Sequence, residues 1–133
     1  MTAPRRFIVH ESFLRQHKEF VDNHPELEAE LLSQYRKAFD DPSAGKPMKR
    51  IPLEELQGKV FRLRIGGRQR YRLVYVYSKE HGVILPAWIS PVARRDLNYD
   101  REPWLEYAQE CSRDLAEGNT QKFKNLTSWV LSL

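Results

Sequence analysis

In the stretch FRLRIGGRQRYRLVYVY, residues 61–77, apolar and charged side chains alternate almost one for one. No other feature constrains the fold as tightly. A period of two belongs to a β-strand, so Phe61, Leu63 and Ile65 share one face while Arg62 and Arg64 share the other. On the following strand Tyr71, Leu73, Tyr75 and Tyr77 take one face, and Arg70, Arg72, Val74 and Val76 the opposite one. Parity then constrains the loop. A tight Gly66-Gly67 turn would set Ile65 against Arg68 and Leu63 against Arg70, mixing apolar and charged residues on both faces. A loop with an odd number of residues, three or five, brings Phe61, Leu63, Tyr71 and Leu73 together over a core. It also gathers Arg62, Arg64, Arg70 and Arg72 on the outer face. The expectation is a hairpin that is apolar beneath and cationic above.

The rest of the chain supplies partners for such a hairpin. RFIVH (6–10) is a β-branched run that reads as a first strand. From Glu11 to Asp22, Phe13, Leu14, His17, Phe20 and Val21 recur at helical spacing. A second helix starts at Pro25, carries Leu27, Leu31, Tyr35 and Ala38, and ends in DDPSAGKP, so the two helices predict a helical hairpin. Residues 45–58 read as a loop with a short helical turn. After SKEHG a third hairpin strand, VILPAWIS, contains Pro86, which predicts a bulge or a position without a ladder partner. The polar connection PVARRDLNYDREP follows. Trp104, Ala108, Cys111 and Leu115 then mark a helix that stops at Gly118-Asn119, and Phe123, Leu126, Trp129 or Val130, and Leu133 mark a short final helix. The order β-α-α-β-β-β-α-α makes an α+β protein with a small, mostly antiparallel sheet. At 133 residues the expected organisation is one domain, residues 1–133.

Charge is segregated. The net charge is only +4, but acidic residues dominate positions 19–30, whereas Lys46 to Arg72 holds nearly all its charge as Lys and Arg. No acidic residue occurs between Gln57 and Ser78. The plain reading is a solvated sheet face whose arginine stems cover apolar surface. The absence of local acidic partners speaks against it, as does the choice of Arg over Lys, because a planar guanidinium fork suits bidentate phosphate contact. Tyr71, Tyr75, Tyr77 and Trp88 read as core residues, with stacking on bases as the alternative. No apolar run approaches the roughly 18 residues of a membrane span, and MTAPRRFIVHESF has no signal-peptide core, so a cytoplasmic protein without a membrane partner is expected. The lone Cys111 sits on an apolar helical stripe and reads as structural. His10, His17 and His24 recur every seven residues but lack Cys or paired carboxylates at ligand spacing, so no metal or other cofactor is expected. Glu54-Glu55 reads as an exposed helix start rather than an acid/base pair.

GKPMKRIPLEELQGKVFRLRIGGRQRYRLVYVY, followed by a third strand and ARRDLNY, resembles the RelE/ParE superfamily of bacterial toxins. The matching features are the Gly-Lys-Pro loop, the Leu-x-Gly before an aromatic-Arg-x-Arg strand, the YRLVY strand, and a late basic cluster ending near a tyrosine. The resemblance spans residues 5–100 and implies a RelE-like β-α-α-β-β-β core, leaving residues 101–133 as a C-terminal helical extension. It implies a toxin neutralised by a cognate antitoxin. RelE-like members cut mRNA on the ribosome without a metal ion; ParE-like members inhibit DNA gyrase by binding; an inactive binding relative is the third possibility. Carried onto this chain, the catalytic positions are Arg62, Arg64, Arg72, Arg94, Arg95 and Tyr99. Lys46, Lys49, Arg50, Arg68 and Arg70 extend the nucleic-acid-binding face. Guanidiniums would stabilise a phosphorane and depress the pKa of Tyr99, allowing it to shuttle protons. Two departures stand out: the hairpin loop is long for this family, and no histidine occupies the late basic cluster.

Overall fold

The computed structural model describes residues 5–49, 51, 53–67, 71–90 and 104–133. Along these the chain runs β1 (Arg6–His10), α1 (Glu11–Asn23), α2 (Glu28–Asp40), β2 (Lys46–Pro47), β3 (Val60–Ile65), β4 (Tyr71–Ser78), β5 (Val83–Ile89), α3 (Trp104–Ala116), β6 (Phe123–Asn125) and α4 (Thr127–Leu131). Six strands form one open sheet in the order β2-β3-β4-β5-β1-β6. β1 runs parallel to β5, and the other neighbours pair antiparallel. The class is α+β with a mixed sheet.

The hairpin has the register that parity requires. Ile65 pairs with Tyr71, Leu63 with Leu73 and Phe61 with Tyr75, so the loop spans residues 66–70, an odd number. Gly66 and Gly67 both have positive φ, 84° and 50°, a backbone that residues with a Cβ rarely adopt. On β5, Pro86 lies opposite Tyr75 and Trp88 opposite Val74, so Ala87 is the extra residue of a β-bulge. The proline's missing N–H is accommodated at that irregularity.

Both faces of the sheet are packed. On the first, Phe7, Leu63, Ile65, Leu73, Tyr75 and Ile84 meet Phe13 and Phe20 of α1, Leu31 and Tyr35 of α2, and Val130 of α4. On the second, Ile8, Val60, Val74, Val76 and Leu85 meet Leu105, Ala108 and Cys111 of α3, together with Met48, Ile51 and Leu56. Each large apolar side chain buried this way contributes about 1.5–3 kcal/mol. Gly118, at φ 72°, ends α3, and the Asn119 N–H donates to the Asp114 carbonyl at 2.8 Å.

Two strands differ from the sequence expectation. Lys46–Pro47 is a short edge strand on β3, within a segment expected to be loop. Phe123–Asn125 pairs with β1 instead of opening the last helix, which starts only at Thr127. Strands of two and three residues are too short to show a period of two, and tertiary pairing decides them.

Candidate functional site

The ladder that buries Leu63, Ile65 and Leu73 sends the alternate residues to the second face. There Arg64 stands directly opposite Arg72, and Arg62 lies between Lys46 on one side and Val74 on the other. Lys46, Arg62, Arg64 and Arg72 thus share one face across three strands. Lys46 and Arg64 are exposed, while Arg62 and Arg72 are half-buried. No ion pair joins Lys46 or Arg64 to a carboxylate among the described residues. Like charges directly opposite each other across a ladder are destabilising.

The opposite face holds this arrangement rigid. Gln34 of α2 donates its side-chain amide to the Arg64 carbonyl at 2.6 Å, clamping the end of β3 from below. Tyr75 is wholly buried; its hydroxyl donates to the Pro42 carbonyl at 2.7 Å and accepts from the Gly45 N–H at 3.2 Å. Burial pushes the Tyr75 phenol up to about 12, so it remains a neutral donor. Gly45 brings the chain close enough for Lys46 to pair with Arg62: a Cβ there would sit 2.7 Å from the Tyr75 hydroxyl and 2.9 Å from the Arg62 carbonyl oxygen. The Gly-Lys-Pro loop is therefore a close-approach device that places a lysine beside the arginines. The sequence reading counted Lys46 as a contact residue but missed Gln34 and the Tyr75 clamp. The parity of Tyr75, a polar tip on a core face, was the available signal.

The aromatic residues pack rather than display. Tyr75 is in the core, Tyr71 and Tyr77 pack against the first apolar cluster, and Trp88 is only 8% exposed in the second. The β5 strand extends past Trp88 so that the Ser90 N–H donates to the Arg72 carbonyl at 2.9 Å. Ser90 immediately precedes the segment carrying Arg94, Arg95 and Tyr99. Those three residues, with Arg50, Arg68 and Arg70, lie outside the described residues. Lys49 is exposed in the connection that follows β2.

The other residues weighed from sequence have structural partners. His10 caps α1, its Nδ1 accepting from the Ser12 N–H at 3.2 Å. His17 Nδ1 lies 2.8 Å from the Tyr35 hydroxyl, and burial holds this histidine below its ordinary pKa, with Glu28 opposing the shift. Glu55 is held low by backbone and Gln109 hydrogen bonds, the latter at 2.8 Å, and so ties to α3. A cleft of about 330 Å³ between α3 and the sheet carries both signs of charge, with Glu55 and Glu80 beside Lys59 and Arg113. It lacks the single-signed field of the arginine face. Against family models, curated proteins and solved structures, the chain finds no match.

What the described residues can do chemically follows from their type. Four cations on one face of the sheet, spread over three strands, can bind and polarise phosphate groups, with the guanidiniums offering paired N–H donors. Arginine, with a pKa above about 12, cannot serve as a general base. Any proton transfer must come from another residue.

Proposed function

We propose that the chain is the toxin of a RelE-type toxin–antitoxin pair, an endoribonuclease that cleaves translated mRNA by attack of a 2′-OH on its own phosphate. The observation that carries this reading is the direct opposition of Arg64 and Arg72 on one face with Arg62 and Lys46. A polyanion is the ligand that a one-signed set of this kind fits, because each guanidinium offers paired N–H donors to phosphate oxygens. In the proposed mechanism Arg62, Arg64 and Arg72 bind the scissile phosphate and stabilise the charge that grows on the phosphorane. In the same mechanism Arg94 and Arg95 are the further cations and Tyr99 is the group that moves the proton. Lys46, Lys49, Arg50, Arg68 and Arg70 hold flanking phosphates. The proposed partners are a cognate antitoxin and mRNA on the ribosome, and the proposed compartment is the cytoplasm.

Expression from a tightly controlled promoter tests this. Translation, mRNA 5′ ends and plasmid supercoiling are followed together after induction. Cuts in frame with the codons of translated messages, lost in Arg72→Ala and Tyr99→Phe, are the expected result. Intact mRNA with broken or relaxed DNA would transfer the reading to a ParE-like gyrase inhibitor. Unimpaired growth at full expression would refute both toxin readings and leave an inactive binding relative.

A further inference from the structure

We infer that His10, Glu110 and Asp114 form a binding site for a divalent transition-metal ion that fastens α3 to the end of β1. One ligand atom from each of the three residues can be chosen so that all lie within 4.8 Å of one another. Glu110 and Asp114 are four residues apart on α3 and therefore project from the same side of the helix. His10 ends β1, a hundred residues earlier in the chain, so no local motif announces the cluster.

Asp114 carries the case. It is only 8% exposed, and its Oδ2 has neither solvent contact nor a hydrogen-bond partner. Its Oδ1 accepts one long bond from the Asn119 amide, at 3.4 Å. A buried carboxylate oxygen without a donor carries an uncompensated desolvation cost, and a cation is the natural compensation. The donor set then selects the kind of cation. One imidazole nitrogen and two carboxylates suit zinc and its first-row neighbours, whereas magnesium and calcium prefer all-oxygen shells.

The surroundings supply the support a ligating histidine needs. His10 Nδ1 lies 2.7 Å from the Ser12 hydroxyl; ligation through Nε2 selects the tautomer in which Nδ1–H donates to Ser12 Oγ, and gives up the cap bond that Nδ1 otherwise accepts from the Ser12 N–H. The His10 ring packs edge-on against Phe123 of β6, centroids 5.2 Å apart, which fixes its orientation. Glu110 is exposed and gives an entry path. Lys122 Nζ sits 3.6 Å from Glu110 Oε1 and would have to swing away, which its own 46% exposure allows. The site lies at the β1 and β6 side of the sheet, with β5 and β4 between it and most of the arginine face. It is a structural fastening, independent of the proposed nuclease chemistry.

Calorimetric titration of Zn²⁺ into the EDTA-stripped, dialysed full chain tests the inference, with thermal unfolding read in parallel. One ion per chain should bind, and a hundredfold excess over its Kd should raise the unfolding midpoint by about 10 °C, reversibly with EDTA. Glu110→Gln and Asp114→Asn should each weaken binding at least about tenfold. His81→Gln, on the exposed turn between β4 and β5, should leave it unchanged. Glu110→Gln keeps the test readable if Asp114→Asn does not fold, because Glu110 is on the surface. Absence of both heat and midpoint shift would overturn the inference. Zn²⁺ binding undiminished in both variants, or abolished in His81→Gln, would equally overturn it by placing the ion elsewhere.

Discussion

Replacing Arg64 by Gln separates a ligand-binding face from an ordinary solvated one, because the two readings predict opposite couplings between stability and binding. Arg64 is exposed, lies directly across from Arg72, and has no ion pair among the described residues. Glutamine keeps most of the stem and removes the charge. Relief of a like-charge cross-strand pair should therefore leave stability unchanged or raise it by up to about 1 kcal/mol, measured by urea unfolding at low salt. Binding should move the other way. Single-stranded nucleic acid releases counterions with a slope of log K against log salt of about −0.7 per phosphate contact. Lys46, Arg62, Arg64 and Arg72 then set a slope of about −2.8, to which basic residues outside the described set can only add. Arg64→Gln should reduce the steepness by about 0.7, read by fluorescence anisotropy of a labelled RNA oligonucleotide across a salt series. A destabilisation beyond about 1 kcal/mol would mean that Arg64 is a packing residue. An unchanged salt slope would remove the arginine face from the binding site whatever the stability change.

Three further outcomes follow from the supports around that face. Tyr75→Phe strands the Gly45 N–H and the Pro42 carbonyl in a buried setting and should cost about 1–3 kcal/mol by chemical denaturation, with slower RNA association a secondary sign of a displaced Lys46. Gly45→Ala places a Cβ 2.9 Å from the Arg62 carbonyl oxygen as well as against Tyr75; its cost, about 1–3 kcal/mol, should survive in the Tyr75→Phe background because the backbone clash remains. His17 titrates below its ordinary value when folded, so the unfolded chain takes up the proton first as pH falls. The stability it contributes is whole above about pH 6.5 and declines below it, by at most about 1.4 kcal/mol per pH unit. His17→Gln should remove that part of the pH dependence, as judged by denaturation midpoints at several pH values between neutral and mildly acidic.

The hairpin was legible because its period-two pattern extends over two strands of six and eight residues, long enough for parity to exclude a two-residue loop. The amphipathic stripes of α1, α2 and α3 were legible for the same reason at a different period. β2 and β6 were not, since their pairing is a property of the neighbours they meet. Nor was the approach of His10 to Asp114, which depends on β1 lying beside β5 and on α3 crossing the second face. One signal bearing on the site was present but went unread. Along the outward parity of β3 and β4 the residue type changes, from Arg64 and Arg62 to Val60 on one strand and from Arg72 to Val74 and Val76 on the other. The valines are buried with α3, whereas the arginines of β3 and β4 are half-buried or exposed. A switch from charged to β-branched residues at constant parity thus marks where a covering helix ends. The cationic surface is the part of the face that α3 leaves open, and the chain encodes its boundary in the exchange of arginine for valine.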